Sequence, residues 1–170
     1  MKIAVISDTH NNSNYLKKAL IWLNENKIKY LIHCGDIASP ETVEELTQTF
    51  QGKIYLVFGN ADINRDLTAL IIKKVKNTFL FDEFGEVEIN KKKIAFCHFP
   101  DLARKMADGG KYDIVFYGHT HKPWEEKIGD CFLVNSGTLG GVFYQATFAV
   151  YDTTTNKLEL KILDRISTEY

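Results

Sequence analysis

Three continuously apolar runs, KIAVIS (2–7), YLIHC (30–34) and KIYLVF (53–58), are separated by stretches with helical spacing of apolar residues. Runs rich in β-branched residues and lacking alternation suit strands covered on both faces. Strands that alternate with helices imply parallel pairing, with each helix crossing back over the sheet. Between the first two runs, Leu16, Ala19, Leu20 and Leu23 fall at i, i+3, i+4 and i+7, and Asn12 or Ser13 can cap the helix. Ser39 is placed to cap a second helix, with Pro40 at its first position, Glu41 in its first turn and Val43, Leu46 and Phe50 on its apolar face. A third helix is expected over residues 65–74.

The second half changes character. EVEIN (86–90) and KKKIAFCH (91–98) read as two strands around a lysine-rich turn, followed by a short helix near 102–107. DIVFY (113–117) and CFLVN (131–135) are further strands, and ATFAVYD (146–152), TTTN and KLELKIL (157–163) form a closing hairpin. A β-α-β-α-β half followed mostly by strands predicts an α/β fold with two packed sheets and helices outside.

At 170 residues the chain is expected to form one domain over 1–170. With a formal net charge of -1 there is no electrostatic case for nucleic acid or an anionic membrane. No apolar run reaches the roughly 18 residues of a membrane span. The opening MKIAVISDTH has too short an apolar part for a signal peptide, so a soluble, cytoplasmic protein is expected. Cys34, Cys97 and Cys131 form no CxxC and each adjoins an apolar run, as buried reduced thiols do.

Polar residues gather where the strands end. The first strand gives Asp8 and His10, the second Asp36, the third Asn60 and then Asp62, the KIAFCH strand His98, and the DIVFY strand, followed by GHTH (118–121), His119 and His121. Ligands bind at the carboxyl ends of strands in open α/β sheets, so a common site is expected. Asp8 with His10, and His119 with His121, are i, i+2 pairs that share one side of an extended chain. Gly35, Gly59 and Gly118 precede candidate ligands and permit tight turns there.

Oxygen and imidazole donors without a required cysteine suit borderline divalent ions: manganese foremost, or nickel, iron, cobalt or zinc. Asp8, His10, Asp36, Asn60, His98, His119 and His121 are too many for one tetrahedral ion and suit two ions about 3.5–4 Å apart. Two dications with two carboxylates and a bridging hydroxide leave a residual charge of about +1, which favours an anion such as a phosphate ester.

The ordered motifs DTH, GD, GNAD, a strand-terminal histidine and GHTH resemble the calcineurin-like metallophosphoesterases, within them the small single-domain YfcE-type phosphodiesterases. The resemblance implies a four-layer αββα sandwich of two mixed sheets flanked by helices. It implies one metal held by Asp8, His10, Asp36 and His121, and a second held by Asp36, Asn60, His98 and His119, with Asp36 bridging. It further implies that a hydroxide bridging the metals attacks the phosphorus of a small phosphodiester or nucleotide-like substrate, with Asn60, and Asn11 beside it, placing the phosphoryl oxygen. A homodimer is compatible with the resemblance.

Two positions depart from the family. Ala61 stands where many members have a histidine after GN, although the small branch often lacks it too. A general acid contributes roughly 10²–10⁴ in rate, so alanine favours good leaving groups or an acid from elsewhere. CHFP stands where HGH is common: His98 is kept, and Pro100 leaves a phosphate contact of relatives without a counterpart.

Other residues have plainer readings. His33 is expected as a packed, hydrogen-bonded histidine, Asp62 either orients a ligand or caps the third helix, and Asp101 caps the fourth. The lysine runs KKVK and KKK are solvated faces, while Trp124, Phe143 and Tyr144 line an interface or a substrate rim, or pack in the core. A protein-interaction scaffold with a vestigial site, similar to the retromer scaffold subunit, is the alternative function. Drift toward that role should erode ligands, yet all seven positions keep ligand-capable residues. Processing of broken DNA ends is weaker still, because the chain is not basic and has no room for a separate DNA-binding domain.

Overall fold

The computed structural model describes residues 1–167. Among these the chain runs β1 (Lys2–Ile6), α1 (Ser13–Glu25), β2 (Tyr30–His33), α2 (Pro40–Thr49), β3 (Lys53–Val57), α3 (Arg65–Lys73), β4 (Thr78–Phe81), β5 (Phe84–Ile89) and β6 (Lys92–Cys97). It continues through α4 (Pro100–Asp108), β7 (Ile114–Tyr117), β8 (Trp124–Ile128), β9 (Cys131–Asn135), β10 (Thr147–Asp152) and β11 (Lys157–Ile162).

One sheet has the order β11-β10-β1-β2-β3-β4 and the other β5-β6-β7-β9-β8. Parallel ladders join β1, β2, β3 and β4, while β10 lies antiparallel on β1. The second sheet is parallel across β6, β7 and β9 and antiparallel at both edges. Both sheets are therefore mixed, and the layers stack as the expected αββα sandwich.

The buried residues fall into three apolar layers. Leu16, Leu20, Leu23, Val43 and Leu46 of α1 and α2 meet Ala4, Ile6, Leu31 and Leu56 on the outer face of the first sheet. Ile3, Val5, Ile32, Val57, Phe96, Phe116 and Tyr151 fill the space between the sheets. Ala103 and Ala107 of α4 cover Ala95, Val115 and Leu133 on the far side. Strands β1, β2, β3, β6 and β7 are thus covered on both faces, which is why their sequences read as unbroken apolar runs.

Asn12 caps α1, its side chain accepting from the Tyr15 amide at 3.2 Å. Ser39 holds the cap position of α2 in extended conformation but makes no side-chain capping bond; Pro40 supplies the fixed φ of the first turn. Two expected caps are elsewhere. The residue before α3 is Asn64, not Asp62, and the residue before α4 is Phe99, with Asp101 inside the first turn, where its charge still complements the helix dipole. The edge strands β4 and β8 escape the sequence pattern: β4 is only four residues long, and β8 carries two exposed or half-exposed glutamates and a lysine. Trp124, Phe143 and Tyr144 are 50 %, 89 % and 47 % exposed, so none belongs to the core.

Phe96 is fully buried between the sheets, with the Phe81 ring edge-on at 5.4 Å. Phe96→Ala is expected to lower unfolding free energy by about 3–5 kcal/mol, measurable as a reduced urea midpoint with unchanged slope.

Candidate metal centre

Loops after five strands, three from one sheet and two from the other, bring the predicted residues together. The backbone does this by leaving the extended conformation. Asp8, His10, Asp36, His119 and His121 have φ of 53°, 46°, 57°, 68° and 60°. Left-handed conformations are rare for residues with a Cβ and cluster at functional sites. This corrects the extended-chain argument for the i, i+2 pairs. His119 turns its Nδ1 to Asn60 Oδ1 at 2.9 Å, whereas His121 turns its Nε2 toward His10 Nε2 at 3.1 Å and Asp8 Oδ1 at 3.3 Å.

Backbone bonds lock the loops. The Asp8 amide donates to Gly35 O at 3.0 Å and the His10 amide to Asp36 O at 3.1 Å, stitching the loop after β1 to the loop after β2. Gly118 N donates to His98 O at 3.1 Å. Two glycines are required by close approach. A Cβ on Gly59 would lie 2.2 Å from Asp36 Oδ1, and one on Gly118 would lie 1.9 Å from Ser7 Oγ and 2.8 Å from Asp8 Oδ2.

Asp62 has a larger role than the sequence suggested. Its Oδ2 accepts from the amides of Asp36 at 3.0 Å and Gly59 at 2.6 Å, and its Oδ1 accepts from Ala38 at 2.8 Å. One buried carboxylate thereby ties the Asp36 turn to the Gly59-Asn60 turn. The signal that could have found it is its place two residues after Asn60, in the same GNAD stretch. Thr138 was also missed: its hydroxyl donates to Asp8 O at 2.9 Å from the loop before β10. Arg65 donates to Gly59 O at 2.6 Å.

His33 behaves as expected. Gly35 N donates to its Nδ1 at 3.2 Å, so the ring proton is on Nε2 and is given to Thr9 Oγ1 at 2.9 Å. Full burial pushes its pKa down to about 4, and the neutral ring braces both loops.

The ligand-capable atoms face one another. Asp8, His10 and His121 each offer an atom within 4.8 Å of the others, and so do Asp8, Asp36 and His98. Asp36 Oδ2 lies 3.9 Å from His10 Nε2 and 3.4 Å from His98 Nε2, so it reaches a histidine of each expected set. His98 Nδ1 meets Cys34 O at 2.8 Å, and His121 Nδ1 meets Val142 O at 3.1 Å. A carbonyl only accepts, so both rings carry their proton on Nδ1 and present a bare Nε2 lone pair. The His98 lone pair meets Asn60 Oδ1 at 3.0 Å. Electron pair against electron pair, beside carboxylates, is repulsive unless a cation lies between, and imidazoles tethered through the other nitrogen are the arrangement metal sites use. The donor set therefore fits divalent metal ions. Asn11 is anchored to α2, its Oδ1 accepting from Thr42 at 2.7 Å.

Burial lowers the pKa of His10 and of His98, which keeps both imidazoles in the ligating form. Burial also pushes the Asp8 carboxyl up to about 8, with the neighbouring Asp36 charge adding to the rise, against hydrogen bonds from Ser7 and the His119 amide.

Comparison with known proteins follows this geometry. A family model described as the calcineurin-like phosphoesterase superfamily domain matches residues 1–156. The chain is similar to Phosphodiesterase MJ0936 of Methanocaldococcus jannaschii, 29 % identical over 167 residues that cover 96 % of this chain and 100 % of the relative. Among solved structures, a novel archaeal phosphodiesterase superposes with a TM-score of 0.88 at 29 % identity, over 95 % of this chain and 99 % of its own. YfcE, a phosphoesterase from E. coli, gives 0.67 at 18 % identity over 96 % and 100 %. Vps29 complexed with zinc, from Entamoeba histolytica, gives 0.69 at 18 % identity over 99 % and 96 %. The last two share the fold.

A carboxyl whose folded pKa is raised binds its proton more tightly folded than unfolded, so its stabilising effect is lost as pH rises toward the folded value. Metal-free protein is expected to lose thermal stability relative to Asp8→Asn between pH 7 and pH 8, read as diverging melting temperatures. Asp62→Ala strands three amide donors, two of them buried, and each buried loss costs about 1–3 kcal/mol. Calorimetry should show destabilisation of that order, with weaker manganese binding, while Asp62→Asn is milder.

Proposed function

Because the chain belongs to the calcineurin-like phosphoesterase superfamily, we propose that it is a metal-dependent phosphodiesterase acting on a small phosphodiester. The observation that carries this reading is the set of bare imidazole nitrogens and carboxylate oxygens facing one another, a donor set that suits divalent cations. Asp8, His10, Asp36 and His121 would hold one divalent ion and Asp36, Asn60, His98 and His119 a second, with manganese foremost. Two such ions supply Lewis-acid polarisation of the phosphoryl group and acidify water.

The chain itself supplies position. Asn60 sits between His98 and His119, with Gly59 and Arg65 fixing its turn, so its amide is placed to meet a phosphoryl oxygen. Asn11, tethered through its carbonyl to Thr42, has its amide nitrogen to offer from the first loop. Asp36 is held by its own amide to Asp62 and by Ala61 N at 2.7 Å to its Oδ1, leaving Oδ2 for the centre. Ala61 has no proton to give, which favours leaving groups that depart as stable anions.

The two sheets share one buried layer, which supports a single domain over 1–170. No helix among the described residues is long and apolar enough to cross a membrane. The three cysteines are free and buried, which supports a reducing, cytoplasmic setting. A scaffold with a vestigial site is the weaker reading, since it would keep a buried Asp8 and two bare imidazoles without use for them.

Manganese- or nickel-loaded protein should hydrolyse bis(p-nitrophenyl) phosphate, and Asp36→Asn should lower kcat/KM by at least about 10². A diester with an alkyl leaving group should react at least about 10² more slowly than the nitrophenyl ester. Loaded protein that contains metal by elemental analysis yet hydrolyses no diester would favour the scaffold.

A further inference from the structure

Between Phe58 and Phe99 the surface opens into a cleft of about 430 Å³, within the range of small-molecule sites. It lies between the turn that precedes α3 and the start of α4. Phe58 and Phe99 line it, with Arg65 and Lys105. The cleft is joined to the candidate metal centre on two sides. Phe99 follows His98 directly, and its ring lies 4.9 Å from the His98 ring and 5.1 Å from the His119 ring. Phe58 precedes Gly59 and carries the Arg65 guanidinium 5.0 Å from its ring centre, while the same guanidinium holds Gly59 O. Phe99 thus forms both a wall of the cleft and a contact of two histidines of the centre.

From these contacts we propose that the cleft receives one organic substituent of the diester, a neutral aromatic group of the nucleoside kind, with Phe99 and Phe58 as its stacking faces. The proposal rests on the hydrolytic reading of the adjoining centre and names its substrate class. Three observations carry it. Phe99 is 45 % exposed although it is a large apolar side chain, and the two histidine rings fix it at the boundary of the centre. Aromatic faces and an arginine plane take up bases of any identity by stacking. The charged lining sets three carboxylates, Asp82, Glu83 and Asp101, against two cations, Arg65 and Lys105. That balance disfavours a second phosphate in the cleft but offers donors and acceptors to the mixed polar edge of a base. The FP pair that departs from the family's motif thus has a physical role here: Pro100 starts α4, and Phe99 becomes a wall.

The test separates the cleft from the chemistry. Isotope-labelled, EDTA-treated protein is titrated with adenosine and followed by amide chemical shifts. Shifts confined to Phe58, Arg65, Phe99, Lys105 and their neighbours are expected, lost in Phe99→Ala and retained in Phe99→Tyr. In manganese-loaded protein, Phe99→Ala should raise KM for bis(p-nitrophenyl) phosphate about tenfold with kcat within about twofold, as loss of one stacking face predicts. Shifts that are absent or lie elsewhere, or an unchanged KM in Phe99→Ala, overturn the proposal while leaving hydrolysis standing. Inactive loaded protein that still gives Phe99-dependent shifts counts against hydrolysis and for the cleft.

Discussion

Everything at the carboxyl ends of the strands answers one electrostatic problem: acceptor atoms are packed against acceptor atoms where little water reaches. Asp8 is fully buried and Asp36 nearly so, and the bare nitrogens of His98 and His121 point at them. An isolated buried carboxylate is costly, and several together are more so. The fold offsets part of that cost with directed donors. The His119 amide gives to both oxygens of Asp8, Ala61 N gives to Asp36, and Asp62 in turn is surrounded by three amides. What the donors leave unbalanced is the attraction for cations.

The same crowding explains why the loops are strained and why both sheets are needed. Asp8 and Asp36 come from the first sheet, His98 and the GHTH loop from the second, and the layer of Val5, Ile32, Phe96 and Phe116 between them sets their separation. Left-handed residues at five ligand-capable positions store strain that only a rigid surround sustains. That surround is visible in Gly59 and Gly118, where a methyl group would collide with the very carboxylates being positioned.

Much of this was legible in the sequence because the elements that bear the site are the most deeply buried ones. The runs ending before Asp8, Asp36 and Asn60 are strands within a residue of their expected ends, and the helices between them follow their apolar stripes. Two of the four edge strands were not legible. β4 and β8 are defined by pairing with neighbours, and β8 reads WEEKI, a composition that favours no strand by itself. Within the site, residue types and order pointed to side chains that the fold brings together, but extended geometry does not align the i, i+2 pairs, because the backbone there is left-handed. Asp62 stayed between two roles because capping and loop bracing use the same carboxylate chemistry; only tertiary contact, here with the Asp36 amide, separates them. Phe99 could be seen as a departure from a motif, not as a wall.

One feature of the sheet order reaches beyond the site. β1, which delivers Asp8, has β2 on one side and β10 on the other, and the first residue is tied to the turn after β10 by Thr153 N to Met1 O at 2.9 Å. β10 begins only at residue 147 of the 170. A chain emerging from the ribosome therefore holds β1 with one edge open until β10, far along the sequence, has been made. The strand that anchors the centre is thus closed long after it is made, so competence waits for β10 rather than accumulating along the chain.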